Sequence, residues 1–235
     1  VRYAEFWLAV HYYESRWLLE KNPISDKQKG KTFEGVLNNM YHRLAMISPC
    51  MVMTFFMLPK QIHAYDGNDK KQYYMYNYID LLIVDEAGQI SAEIAAPSFS
   101  LAKKAIVVGD EEQIPPVWGT VRPLDIAMAI SSGVIEDKKQ YEKLEINGLN
   151  CSQSSIMKIA ALSCAFDKYK KGLFLSEHRR CYNEIVTYCN KLIYEERLEP
   201  KRGSFFADDK NALIDFLPAM GHKQITVSKS QKSGT

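Results

Sequence analysis

The sequence predicts an α/β fold, a parallel sheet flanked by helices, and three observations predict it. Apolar runs over 79–84 and 104–108 read as strands, a helix-forming stretch over 91–101 lies between them, and acids and glycine stand at the strand ends. Strand, helix and strand in that order make a parallel pair joined by a crossover. In such sheets ligands bind beyond the carboxyl ends of the strands. Asp85, Glu86, Gly109 and Asp110 all fall at that edge.

The other elements follow from local pattern. Residues 3–20, rich in Trp, Tyr, Phe and Leu, predict a largely buried helix that Asn22-Pro23 ends. Residues 23–32 are polar and basic and read as a loop. The apolar run 50–56, after Ser48-Pro49, predicts a buried parallel strand. A polar loop over 66–71 and a tyrosine-rich lead over 73–78 precede the strand at 79. Pro115-Pro116 forbids a regular element. Helices are expected over 122–132 and 152–165, with a charged connector at 136–143. A short strand over 172–176 then precedes an amphipathic helix over 182–194. The tail is polar apart from a strand expected over 212–216.

Composition bounds the class. With 46% apolar and 25% charged residues among 235, the chain is an ordinary globular protein rather than a disordered one. A net charge of +2 announces no global basic field, and a local strand-binding groove needs none, so charge decides nothing. No apolar run approaches the roughly 18 residues that span a bilayer, so no membrane partner is expected. The N-terminus has no signal-peptide pattern and begins at Val1 rather than Met, which suggests a fragment. Five cysteines, odd in number and without CxxC spacing, favour reduced thiols in a cytoplasmic protein.

The strongest chemical signal is Leu81-Leu82-Ile83-Val84-Asp85-Glu86-Ala87-Gly88-Gln89. An apolar strand ending in paired acids suits nucleotide hydrolysis. One carboxylate holds Mg²⁺ through its water and the other orients and deprotonates the attacking water. Alone, the pair is equally well read as two surface acids opening a helix, favoured by its dipole.

A second motif separates those readings. Ala105-Ile106-Val107-Val108-Gly109-Asp110 runs on to Gln113, Pro115 and Pro116. This strand–Gly-Asp-x-x-Gln-x-Pro-Pro arrangement resembles motif III of superfamily 1 helicases. Gln113, able both to donate and to accept, is suited to bond a γ-phosphate oxygen and the nucleic-acid side together. The third motif, Leu173 to Cys181 with Ile185, Tyr188, Asn190 and Tyr194 downstream, resembles motif IV of the same family. There an arginine from the second RecA-like domain reaches the γ-phosphate. Arg179 is the matching position, with Arg180 able to swap roles, and His178 stands where Tyr is usual. A guanidinium suits the task because it never deprotonates and its fork meets spread negative charge.

The resemblance spans roughly 80–198 and is nearest the branch of the nonsense-mediated-decay motor and its bacterial relatives. It implies an incomplete RecA-like, P-loop NTPase core. Residues 1–165 would be the C-terminal part of a first RecA-like domain with a helical insertion. Residues 166–235 would open a second. ATP and Mg²⁺ are the implied cofactors, with Asp85 on the metal and Glu86, Gln113, Gly109, Asp110 and Arg179 around the nucleotide. The implied partners are single-stranded nucleic acid, DNA favoured over RNA, and the remainder of a parent helicase chain.

Weaker signals take the plainer reading. Gly30-Lys31-Thr32 imitates a phosphate loop, but Ser25 stands where that loop needs glycine and no apolar strand precedes it. Thr54 matches a family position that touches the nucleic-acid backbone, beside the alternative of a satisfied buried hydroxyl; Pro115 and Pro116 are further strand candidates. Tyr73, Tyr74, Tyr76 and Tyr78 are placed either to stack on bases or to pack at the core's rim. The resemblance puts the true phosphate loop before Val1 and the remaining arginine motifs after Thr235, so the isolated chain is expected to be nearly inactive. The alternative function is a nucleotide-gated regulatory or nucleic-acid-binding module without unwinding, attached to a defence or nuclease protein.

Overall fold

A computed structural model describes residues 1–20, 25, 27, 30–166 and 171–205. The strand expected over 212–216 lies outside them. Alpha-carbon contacts divide the chain into two compact units, Val1–Ser163 and Cys164–Thr235.

The first unit opens with α1 (Arg2–Leu19), α2 (Glu34–Ile47) and the short α3 (Leu58–Gln61). The antiparallel hairpin β1 (His63–Asp66) and β2 (Lys71–Tyr74) follows. Next come β3 (Leu82–Val84), α4 (Ala92–Phe99) and β4 (Ala105–Val107). Helices α5 (Arg122–Ser131), α6 (Tyr141–Ile146) and α7 (Ile156–Ser163) complete the unit. The second unit holds β5 (Glu177–His178), α8 (Asn183–Leu192) and β6 (Glu199–Pro200), with β5 and β6 parallel. The architecture is mixed α/β. Among the described residues no helix is long and apolar enough to cross a membrane.

The strand–helix–strand reading holds at its centre. Strands β3 and β4 are parallel, with Leu82 opposite Ala105, Ile83 opposite Ile106 and Val84 opposite Val107. The pairing reaches back to an isolated parallel bridge between Ile79 and Ala102. It is interrupted at Asp80, whose carboxylate pairs with Lys103 Nζ at 2.6 Å. One face of the pair is covered: Val84, Ala87, Ala95 and Ile156 form a buried cluster, with Phe55, Leu82 and Val107 packed against it. The other face leaves Ile83 58% and Ile106 49% exposed.

Several expectations are corrected. The run 50–56 is not a strand, and Val52 is 94% exposed. The run ends in a turn in which the Thr54 carbonyl accepts from the N–H groups of Met57 and Leu58, starting α3. An apolar run specifies burial only where something covers it, and here only Phe55 finds the cluster. Helix α1 exists where expected but buries no residue; its aromatics face several sides of the helix while α1 packs on α2. The connector 136–143 is structured. Asp137 caps a 3-10 turn by accepting from the N–H groups of Lys139 and Gln140, and the fully buried Tyr141 anchors α6. The strand expected over 172–176 sits further on, at Glu177–His178, and Leu173 and Leu175 are exposed. Its partner is β6: Glu199 N–H reaches the Ser176 carbonyl and Lys201 N–H that of His178.

The Lys31 and Thr32 pair precedes its helix, because α2 begins at Glu34 with Phe33 at the cap. A phosphate loop carries its Lys and Ser/Thr where the helix opens. The Thr32 carbonyl is instead engaged by Tyr65 N–H at 2.9 Å.

Candidate active site

The register of β3 against β4 sets Asp85 beside Val108 and brings two loops edge to edge. Val108 N–H donates to the Val84 carbonyl at 2.8 Å, and Ala87 N–H returns the bond to the Val108 carbonyl at 2.9 Å. The chain manages this reversal by placing Glu86 in the left-handed region, φ 54° and ψ 39°. That conformation is costly for a residue with a side chain and marks sites where the surroundings impose it.

Glycine is required on both sides of the junction. A Cβ on Gly88 would collide with the Asp110 carbonyl, and one on Gly109 would lie 2.7 Å from Ala87 N and 2.8 Å from Gly88 N. Backbone therefore packs on backbone, with Ala87 and Gly88 buried and Asp85 and Glu86 exposed above them. Hydrophobic cover beneath and carboxylates on top follow directly from the alternation of Val84 and Asp85 along one strand.

Local hydrogen bonds orient the polar side chains. Glu86 N–H donates to Asp85 Oδ1 at 3.0 Å, and Gln89 Nε2 donates to Glu86 Oε2 at 3.2 Å. In the second loop Asp110 accepts from Glu112 N–H at 2.9 Å and from Gln113 Nε2 at 2.9 Å. Asp85, Glu86, Gly109, Asp110 and Gln113 are thus gathered at one pair of strand ends. Pro115 is exposed in the same loop and Pro116 is buried. Thr54 is exposed, not a buried hydroxyl, and its neighbour Phe55 packs on the cluster under the carboxylates.

Arg179 belongs to the second unit. It follows β5 and donates from Nε at 3.1 Å and from one terminal nitrogen at 2.7 Å, both to Glu177 Oε2. His178 Nε2 is engaged by the Cys181 N–H at 3.1 Å, which shapes the turn into α8.

Sequence reasoning assigned no role to Gln89, although its position three residues after Glu86 was a readable signal for a side-chain contact. It also missed Trp118, whose indole N–H donates to the Ser154 carbonyl at 2.9 Å across 36 residues of chain. No local pattern announces that bond.

Part of the chain is similar to curated proteins. The chain is 27% identical over 126 residues to the DNA replication ATP-dependent helicase/nuclease DNA2 of Gallus gallus, covering 54% of this chain and 10% of that protein. It is 28% identical over 120 residues to the protein of the same name from Xenopus laevis, covering 51% of this chain and 9% of that protein. The chain therefore spans about a tenth of the length of the curated relatives it matches. No protein-family model and no solved structure matches it. The chain is distantly similar, over half its length, to an ATP-dependent helicase.

Proposed function

We infer that this chain is part of a superfamily 1 helicase or translocase motor that couples ATP hydrolysis to movement along a single nucleic-acid strand. The observation that carries the reading is the junction itself. Two parallel strands end together, one in Asp85-Glu86 and the other in a loop bearing Gln113, with glycines that leave room for nothing else between them. The similarity to ATP-dependent helicases supports it independently.

The donor set suits Mg²⁺. Among the described residues no three His, Cys, Asp or Glu side chains form a metal cage, and Mg²⁺ binds through one or two carboxylates and phosphate oxygens while keeping several waters. Asp85 would hold it, and when bound it would neutralise phosphate charge. Glu86, turned outward by its left-handed backbone, orients the attacking water and takes its proton. Gln89 steadies that carboxylate from one side. Gln113 bonds the γ-phosphate oxygen, and its tie to Asp110 keeps the amide near the strand ends until it does. Arg179 pairs with the γ-phosphate in the full motor, exchanging its Glu177 partner for it. Thr54 and Pro115 offer exposed groups to the strand. DNA is favoured over RNA, because both relatives are named for DNA replication.

The test is Glu86→Gln in the full-length parent, a change that keeps shape and removes the base. ATP turnover should fall by about 100-fold or more, while affinity for a fluorescent ATP analogue stays within about twofold of wild type, since binding energy resides elsewhere. Unchanged turnover would overturn the assignment. The relatives' names join helicase to nuclease, which favours one second reading: a nucleotide-gated module controlling an attached nuclease. In that case Glu86→Gln would lock the nuclease in its ATP-bound state without any measurable unwinding to lose.

A further inference from the structure

One short segment fastens both loops of the proposed site. The carboxylate loop leaves β3, turns through 87–89 and ends at Ile90, whose carbonyl accepts the Ile156 N–H at 2.9 Å. The glutamine loop leaves β4 and ends at Trp118, whose indole N–H donates to the Ser154 carbonyl at 2.9 Å. Ser154 and Ile156 stand two residues apart at the entrance of α7.

The segment is itself firmly seated. Ser152, Ser154, Ser155 and Ile156 are all buried. Just before them, the Cys151 N–H and the Tyr141 hydroxyl donate to the same oxygen of Asp125, at 2.8 and 2.7 Å. Asp125 is only 7% exposed, and a buried carboxylate engaged twice is expensive to disturb. Gln153 N–H bonds Asn150 Oδ1 at 3.1 Å, and Ser155 Oγ accepts from Lys158 N–H at 3.2 Å, closing the first turn of α7.

We propose that residues 154–156 are a brace that sets the spacing between the Glu86 and Gln113 loops, and that Trp118 is a positioning residue for Gln113. The proposal rests on the roles given above to those two side chains. Gln113 is tied at one end by Asp110 and is otherwise exposed, as are Ile114 and Val117. The indole anchor limits the free span to residues 114–117, and two of those four are prolines with fixed φ. Pro116 is buried within that span, so the loop is pinned before, during and after the stretch that follows the amide. Deleting the indole N–H releases the far end.

The experiment uses Trp118→Phe in the full-length parent, which keeps an aromatic ring and removes the donor. The expected result is a fall of about tenfold in kcat of the folded enzyme, the scale of a small misplacement at a reacting centre, with KM for ATP close to wild type and a thermal midpoint lowered by a few degrees because the buried Ser154 carbonyl loses its donor. A role in stability alone would lower the midpoint and leave kcat of the folded fraction intact. Glu86→Gln is measured beside it. If that variant turns over normally, the motor assignment fails. If it is inactive while Trp118→Phe keeps wild-type kcat, the brace alone is overturned. A second measurement does not depend on the variant folding. The chain has three tryptophans, so in the 15N-indole spectrum of the 235-residue chain, Trp7→Phe and Trp17→Phe identify the Trp118 signal by elimination. Its N–H should exchange with solvent far more slowly than that of the exposed Trp7. Equal exchange rates would show that the bond to Ser154 is not held in solution and would overturn the brace whatever the turnover assays give.

Discussion

The two places that carry the proposed nucleotide chemistry are built in opposite ways. At the ends of β3 and β4 the junction itself is fixed by backbone: reciprocal N–H to carbonyl bonds between Val84, Ala87 and Val108, and glycines packed against amides. At Arg179 nothing is buried; a guanidinium that is 69% exposed leans on a carboxylate two residues away that is 53% exposed. The carboxylates are placed by folding, before any ligand arrives. The arginine is placed by a partner that another anion can replace. A motor needs both kinds of group, since a metal and water site profits from preorganisation and a sensor of phosphate loss must change partners.

The junction is where this comparison breaks most readily. Gly109→Ala would put a methyl 2.7 Å from Ala87 N and 2.8 Å from Gly88 N, where no side chain is free to yield. Overpacking of this kind should cost about 3 kcal/mol, read as a lower urea midpoint for unfolding of the chain. Gly119→Ala is the control, because nothing beyond its own chain neighbours lies within 4 Å of the added methyl. Equal midpoints for the two variants would show that the junction is looser than its contacts.

The support behind the junction gives a smaller effect with a pH signature. Burial pushes the Tyr141 phenol from its ordinary 10.0 up to about 12, helped by its bond to Asp125. In the folded chain it keeps its proton where the unfolded chain has released it, so the unfolded state binds fewer protons and stability falls as pH rises from about 10 to about 12. Below the unfolded value both states hold the proton and no pH dependence arises from this group. Tyr141→Phe should therefore make the alkaline decline shallower. At neutral pH it should cost about 1–2 kcal/mol, because Asp125 loses a buried donor. Urea unfolding at pH 8 and across pH 10–11.5 measures both. An unchanged alkaline slope would assign the decline to other tyrosines.

What could be read in advance follows the same division. Strands β3 and β4 and the acids at their ends were legible, because alternation, a crossover helix and strand-end glycines are local signals. So were α5, α7 and α8, whose ends differ from expectation by a few residues. The run 50–56 and helix α1 were misjudged in burial for one reason. Apolar composition reports what a segment would gain from being covered, while coverage depends on residues far along the chain. The β1–β2 hairpin was overlooked although its turn, Gly67-Asn68-Asp69-Lys70, carries turn residues and a left-handed Lys70 at φ 52°. Within the proposed site, the meeting of Asp85, Glu86 and Gln113 at one pair of strand ends could be read from spacing. The Trp118–Ser154 bond could not, because 36 residues separate its ends and neither end belongs to a local pattern.

The smallest expected change in stability belongs to Arg179, and it sharpens the comparison most. Arg179→Ala removes both hydrogen bonds to Glu177 Oε2, yet it leaves behind a carboxylate that water already reaches. Exposed ion pairs of this kind contribute about 0.5 kcal/mol or less, and salt screens them. Unfolding of the variant should therefore track wild type within about 0.5 kcal/mol. In the full-length parent the same change should lower ATP turnover by about 1,000-fold, the scale of an arginine that meets phosphate charge in the transition state. Arg179→Lys should rescue little of it, because a point charge lacks the guanidinium fork. A large stability loss with modest kinetic change would reverse the assignment. Arg179 would then be a structural clasp on β5, and the search for the group that senses the γ-phosphate would move to Arg180, one residue along the same turn.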